Sequence, residues 1–346
     1  MDAALTPGAR RRAFLEFFAA VIYFFLARAL AHQGAQVLVS EQRAPLAEQT
    51  MLALLLLIGY AAMGFWLDRE AHPVATQGFP WREGFRREGA TGLATGWALA
   101  VVCVLLVAIG GGIAISFSWQ ASAWSGLAAD AAFFAVTALA EEIAFRGYGF
   151  QRFVRATGPV GASLVFAIFY ALLQRMIPGS NRANFVVSIV LGLLLSIAYL
   201  RTRALWLSWG LNFGWKASRA LLFGLAVSGD STHSPVVQGD PMGPYWLTGG
   251  GFGLDGAWIT FFVLLAALPI IFRITRELDF RYNAPVLVPG GNPVDLDAAA
   301  RAQHEAATRA VEPAAPALVQ ITSYTAPAAQ SAVQTQAHPK DPESVE

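Results

Sequence analysis

The chain is poor in charge. Of its 346 residues only 14% are Asp, Glu, Lys or Arg, against about 25% in a soluble domain. It has one cysteine, Cys103, so an internal disulfide and a cysteine-built metal site are excluded. Lysine is almost absent, occurring only at Lys216 and Lys340. The five histidines, His32, His72, His233, His304 and His338, are scattered along the chain. The net charge of +1 excludes a strongly basic surface for nucleic acid. What abounds is hydrocarbon: 55% of residues are hydrophobic, and the mean hydropathy is +0.48. That combination describes a polytopic membrane protein with an all-α fold.

Apolar runs long enough to cross a bilayer, about 20 residues, fall near 13–32, 50–67, 91–116, 127–150, 158–177, 184–200, 204–228 and 256–274. A helical bundle of about eight transmembrane helices is therefore expected. The third run contains Gly110, Gly111 and Gly112, which weaken a helix and favour a kink. The first run follows Arg10, Arg11 and Arg12 without a small-residue cleavage site, and reads as an uncleaved span. Arginines concentrate at alternate ends of the runs: Arg10–Arg12, Arg69, Arg82, Arg86, Arg87, Arg152, Arg155, Arg201, Arg203, Arg273, Arg276 and Arg281. By the positive-inside rule both termini lie in the cytoplasm of a multi-pass cell-membrane protein. Three parts follow: N-terminal helices over 1–126, a helical core over 127–280, and a tail over 281–346. The tail is rich in Ala, Pro, Gln and Thr and reads as disordered. The Gly-rich stretch 229–256 is expected to be a plain connecting loop, because no GK[ST] follows it.

Charge inside these runs carries the functional signal, since ionisable groups are costly in hydrocarbon. AEEIAFRG, residues 140–147, holds Glu141, Glu142 and Arg146. Glu142 and Arg146 are four apart and pair on one helix face, which leaves Glu141 to find another partner. Tyr170 lies in SLVFAIFYALLQ, a packed tyrosine or a working hydroxyl. Asn212 and Lys216 lie one turn apart in LWLSWGLNFGWKAS. Asn212 suits an interhelical hydrogen bond. Lys216 either snorkels to the interface or meets a buried acid.

EEIAFRG resembles the EExxxR motif of the CPBP family, also called Abi or CAAX-type intramembrane proteases. The likeness continues through Phe166-Ala-Ile-Phe-Tyr170 and Asn212-Phe-Gly-Trp-Lys216, with similar flanks, over about 127–275. The resemblance implies peptide hydrolysis within the membrane, with a Glu and two His around a water, an Asn at the oxyanion and a divalent metal often invoked. Carried over by position, Glu141 matches the base, Glu142 and Arg146 its neighbours, and Phe166 the Phe of the second motif. The two His positions hold Tyr170 and Asn212, and the Asn position holds Lys216. The chain thus resembles a divergent member without the motif histidines. No cofactor is expected, because the missing histidines disfavour the metal. The expected partners are membrane lipid and a membrane-bound peptide or prenylated protein. If the family fold holds, Lys216 faces Glu141 and forms a buried ion pair flanked by Tyr170 and Asn212. The alternatives are an endopeptidase with a variant site and a catalytically silent binder; a transporter lacks support from inverted repeats.

Overall fold

Most of the apolar sequence becomes helix, because hydrocarbon surroundings leave backbone N–H and C=O groups no partner but their own. The computed structural model describes residues 7–117, 121–233, 237–278 and Glu305. In chain order the helices are α1 (Pro7–Leu38), α2 (Ala44–Asp68), α3 (Pro73–Thr76), α4 (Phe85–Ile109), α5 (Ala121–Arg146) and α6 (Tyr148–Thr157). There follow α7 (Pro159–Arg175), α8 (Arg182–Thr202), α9 (Leu205–Ala217), α10 (Tyr245–Thr248) and α11 (Trp258–Ile274). A single π-helical turn, Ser218–Leu222, extends α9. Four of these helices, α1, α2, α4 and α8, are long and apolar enough to span a membrane; α7 and α11 are apolar but shorter. The outward faces of α1, α2 and α4 expose large apolar side chains such as Ile22, Ile58 and Leu105. Such a surface suits lipid and would be a liability in water.

Two expectations need correction. The run 91–116 is not one helix. α4 stops at Ile109, where three successive glycines give poor helix propensity. The chain then forms strand β1 (Ile113–Phe117). β1 pairs antiparallel with β2 (Val237–Pro241), in the register Ile113↔Pro241 to Phe117↔Val237. The stretch 229–256 is accordingly more than a plain loop, since it contains β2, α10 and two 3-10 turns. The helical architecture therefore carries a small two-stranded ribbon at one end.

The chain divides into two units, Met1–Ala284 and Pro285–Glu346. The disorder expected for 281–346 falls outside the described residues, apart from Glu305.

Within the first unit, α4 and α9 approach backbone to backbone. Gly89, Gly92 and Gly96 on α4 face Gly210 and Gly214 on α9. A Cβ placed on Gly92 would lie 2.2 Å from the Leu207 carbonyl oxygen, and one on Gly96 2.2 Å from that of Leu211. Reciprocally, a Cβ on Gly210 would lie 2.2 Å from the Gly89 carbonyl oxygen, and one on Gly214 2.4 Å from that of Leu93. The contacts climb together along both helices, so they run side by side in the same direction. Small residues at three- and four-residue spacing are how membrane helices gain such contact without a hydrophobic driving force between them. This seam sets the position of α9, and with it Asn212 and Lys216.

The opposite side of the core is held by charge. Arg152 on α6 is buried and pairs with Asp68 at the end of α2 at 2.8 Å. It also lies 3.9 Å from Glu16 of α1, and its guanidinium sits 4.5 Å from the centre of the Tyr148 ring. The Tyr148 hydroxyl donates to Asp68 at 2.8 Å. Three helices, α1, α2 and α6, thus meet at the end of the bundle that follows the EExxxR stretch.

A leucine at position 214 would force α9 away from α4. Gly214→Leu should cost roughly 1–3 kcal/mol or more by overpacking. Gly251→Ala, at a position with no atom within 4 Å of the added Cβ, should stay within about 0.5 kcal/mol of the parent. Thermal unfolding in detergent micelles compares the two, and equal losses would contradict the seam.

Candidate functional site

α5 presents Glu141 and Glu142 near its end, and it stops at Arg146 for a local reason. At Gly147 the chain turns back so closely that a Cβ would lie 2.3 Å from the Ile143 carbonyl oxygen. Only glycine fits there, so the motif ends in Arg-Gly. The Glu142 carboxylate lies 3.4 Å from Arg146 Nη1, the one-turn pair that the spacing suggests. Both side chains are almost wholly buried. Arg146 Nη2 also donates to the Gly192 carbonyl of α8 at 3.0 Å, which joins the motif helix to its neighbour.

α9 supplies the other half. Asn212 Nδ2 donates to Glu141 Oε2 at 2.9 Å and to Glu142 Oε1 at 3.1 Å, so one amide bridges both acids. Lys216 Nζ donates to Glu141 Oε1 in an ion pair. The ammonium-bearing side chain is buried, while that of Glu141 is 21% exposed. Two carboxylates therefore meet two cations, and the cluster is electrically balanced when all four are ionised. Balance of this kind is what permits charge in a low-dielectric interior.

Three of the four carboxylate oxygens have partners. The fourth, Glu142 Oε2, is buried without one, as are Asn212 Oδ1 and Arg146 Nε. A buried polar atom left unmatched is costly. Three such atoms within one bonded cluster mark the place where the network is incomplete.

Tyr170 of α7 stands beside the cluster rather than within it. Its hydroxyl accepts from Gln174 Nε2 at 2.8 Å. Its ring meets Phe145 edge-on, with centroids 5.2 Å apart at 88°, and lies 6.0 Å from the Arg146 guanidinium carbon. Phe166, one turn earlier on α7, is buried against Phe150 and Phe153.

The structure brings Glu141, Glu142, Arg146, Asn212 and Lys216 into direct contact and sets Tyr170 one ring away. The histidines lie elsewhere. His32 pairs with Glu48 at 2.9 Å, and His233 lies between Asp130 at 3.4 Å and Asp230 at 3.0 Å. Among the described residues, no three His, Cys, Asp or Glu side chains gather in a group able to hold a metal ion.

One neighbour was not singled out by sequence reasoning. Arg219, one turn beyond Lys216, is buried and pairs with Asp255 at 2.7 Å. Its guanidinium carbon lies 4.2 Å over the Trp215 ring, and its Nε donates to the Trp215 carbonyl at 3.0 Å. The pair ties the Gly-rich segment to the head of α9. Its signal in the sequence is an arginine inside an apolar run, matched by the lone acid of GGGFGLDG.

Lys216→Met should leave Glu141 as an unpaired acid and cost about 3–5 kcal/mol. The double change Lys216→Met with Glu141→Gln should recover part of that loss, because neither charge then remains alone. Thermal unfolding of the three variants in detergent measures this coupling. A Lys216→Met chain as stable as the parent would remove the pair's structural role.

Residues 121–218, which carry Glu141 through Lys216, match the family described as Type II CAAX prenyl endopeptidase Rce1-like. No curated protein and no solved structure matches the chain.

Proposed function

We propose that this chain, a membrane protein whose segment 121–218 is of the Type II CAAX prenyl endopeptidase Rce1-like kind, holds a membrane-bound partner rather than hydrolysing it. The partner class is a lipidated or otherwise membrane-associated peptide or protein, received in the cavity that a protease of this kind would use for cleavage. The chain crosses the cell membrane eight times with both termini in the cytoplasm. That orientation is supported by Arg12, Arg82, Arg152 and Arg201 lying at corresponding ends of their segments.

The observation that carries the reading is the Lys216 ammonium on Glu141. A general base must accept a proton from water in the course of reaction. An ammonium on one oxygen and an amide N–H on the other take up part of the carboxylate's accepting capacity and hold it turned toward α9. The proton-accepting histidines implied by the resemblance are replaced by a tyrosine bonded to Gln174 and an asparagine bonded to both acids.

The donor set does not suit a divalent cation either. Zinc and its relatives take imidazole, thiolate and carboxylate ligands in close array. Here the acids face an ammonium and a guanidinium, which would repel such an ion. No step through a metal is therefore assigned.

One observation favours the second reading, an endopeptidase with an altered site. The Glu141 side chain retains 21% exposure. A Lys216 that swings aside would return that carboxylate to water, with the ammonium near enough to stabilise a developing oxyanion.

Reconstitution with prenylated and unprenylated reporter peptides separates the two. Wild type, Glu141→Ala and the triple change Tyr170→His/Asn212→His/Lys216→Asn are compared for cleavage and for peptide retention. Binding without cleavage by wild type is the expected result. Cleavage by wild type that Glu141→Ala abolishes would establish the enzyme instead.

A further inference from the structure

α1 carries a groove that the reading above does not use. Its inner part is a cavity of about 160 Å³ with an almost wholly apolar wall, lined among others by Phe17, Phe18, Phe24, Phe145, Phe166 and Phe169. Phe18 is exposed on the outer surface, so the cleft opens sideways toward lipid. At the N-terminal end of the helix, Phe18 also lines a second hollow with Arg10, Arg11 and Phe14. The two hollows share this residue and follow one another along α1, a track in two parts. From Phe14 to Phe24 the track runs about 15 Å at 1.5 Å per residue, half of a roughly 30 Å hydrocarbon core.

The charges at its mouth are selective. Arg12 is engaged by Glu16 at 2.7 Å and by the Leu67 carbonyl. Arg152 and Arg155 are engaged by Asp68 and Glu70. Arg10 and Arg11 pair with no carboxylate among the described residues and are exposed. Two cations with no carboxylate partner among the described residues therefore stand at the entrance of a hydrocarbon-lined cleft one leaflet deep.

We infer that this track is a binding site for an anionic phospholipid of the surrounding bilayer. Its phosphate-bearing headgroup lies at Arg10 and Arg11, and one acyl chain enters the phenylalanine cleft. Guanidinium groups pair with phosphate oxygens in forked geometry, and basic pockets beside membrane helices capture anionic headgroups. The acyl chain would end against Phe145. The other side of that ring meets Tyr170, and the Arg146 guanidinium carbon lies 5.7 Å from it. The lipid would thus touch the packing of the acidic cluster from outside, whether or not the cluster cuts peptide.

The test uses the full-length protein and native mass spectrometry with phosphatidylglycerol and phosphatidylcholine of identical acyl chains. Wild type should prefer phosphatidylglycerol. At roughly tenfold per 1.4 kcal/mol and about 1 kcal/mol per basic residue, Arg10→Gln/Arg11→Gln should bind it about thirtyfold more weakly and lose the preference. Val165→Trp, which narrows the cleft, should weaken both lipids alike. Equal binding of the two lipids by wild type would overturn the proposal. So would an undiminished preference in the arginine variant, or complete displacement of phosphatidylglycerol by inorganic phosphate, which would mean that the acyl chain is not held.

Discussion

A charge placed in hydrocarbon has to be met by another charge, and the rest of this architecture is arranged around that requirement. Glu141 and Glu142 cannot stand side by side in an apolar bundle without two cations. Arg146 comes from the same helix, one turn away. Lys216 comes from α9, and Asn212 joins the two acids through a single amide. The same principle recurs at both ends of the core. Arg219 answers Asp255 at the ribbon end, and Arg152 answers Asp68 and Glu16 at the opposite end. Three buried charge groups, each joining segments distant in sequence, thus fix the helices that carry the motif. A buried ion pair adds little net stability but is very costly to break. Such pairs act here as constraints on geometry more than as sources of free energy.

This explains how two adjacent acids can sit in an apolar bundle with no histidine beside them among the described residues. Lys216 and Asn212 bind the carboxylates and so tie the acids into the packing of the helices. Removing either would strand a cation in the core. The acid pair is then held by folding as firmly as any reaction could hold it, and its presence says little by itself about hydrolysis.

The helices were legible because apolar runs of this length have few alternatives in lipid. The Glu142–Arg146 contact was legible because four residues make one helical turn. Contacts between distant segments were harder to read. Lys216 and Glu141 are 75 residues apart, and only the order of the family-like motifs suggested that they face each other. The two-stranded ribbon was missed because Ile113–Phe117 is as apolar as the helix before it, so hydropathy cannot separate the two. The Arg219–Asp255 pair was missed because each residue looks ordinary alone: one more basic residue in a span, one acid in a glycine-rich loop. The partner of Tyr170 was missed because Gln174, one turn on, draws no notice beside a motif position. The seam between α4 and α9 could have been found, since Gly89, Gly92, Gly96, Gly210 and Gly214 keep helical spacing. It was hidden by the more conspicuous triplet at 110–112.

That seam has a consequence for how such a site can change over time. Where two helices touch through their backbones, they mesh like notched bars. A slide by one residue would drive a side chain into a carbonyl, so α9 has one permitted setting against α4. The positions projecting from its other face, 212 and 216, are aimed by that seam as well as by the contacts of their own side chains. Chemistry at those two points can be exchanged, imidazole for amide or amide for ammonium, while the frame that aims them stays still. A site on such a mount can lose one activity and take up another without refolding.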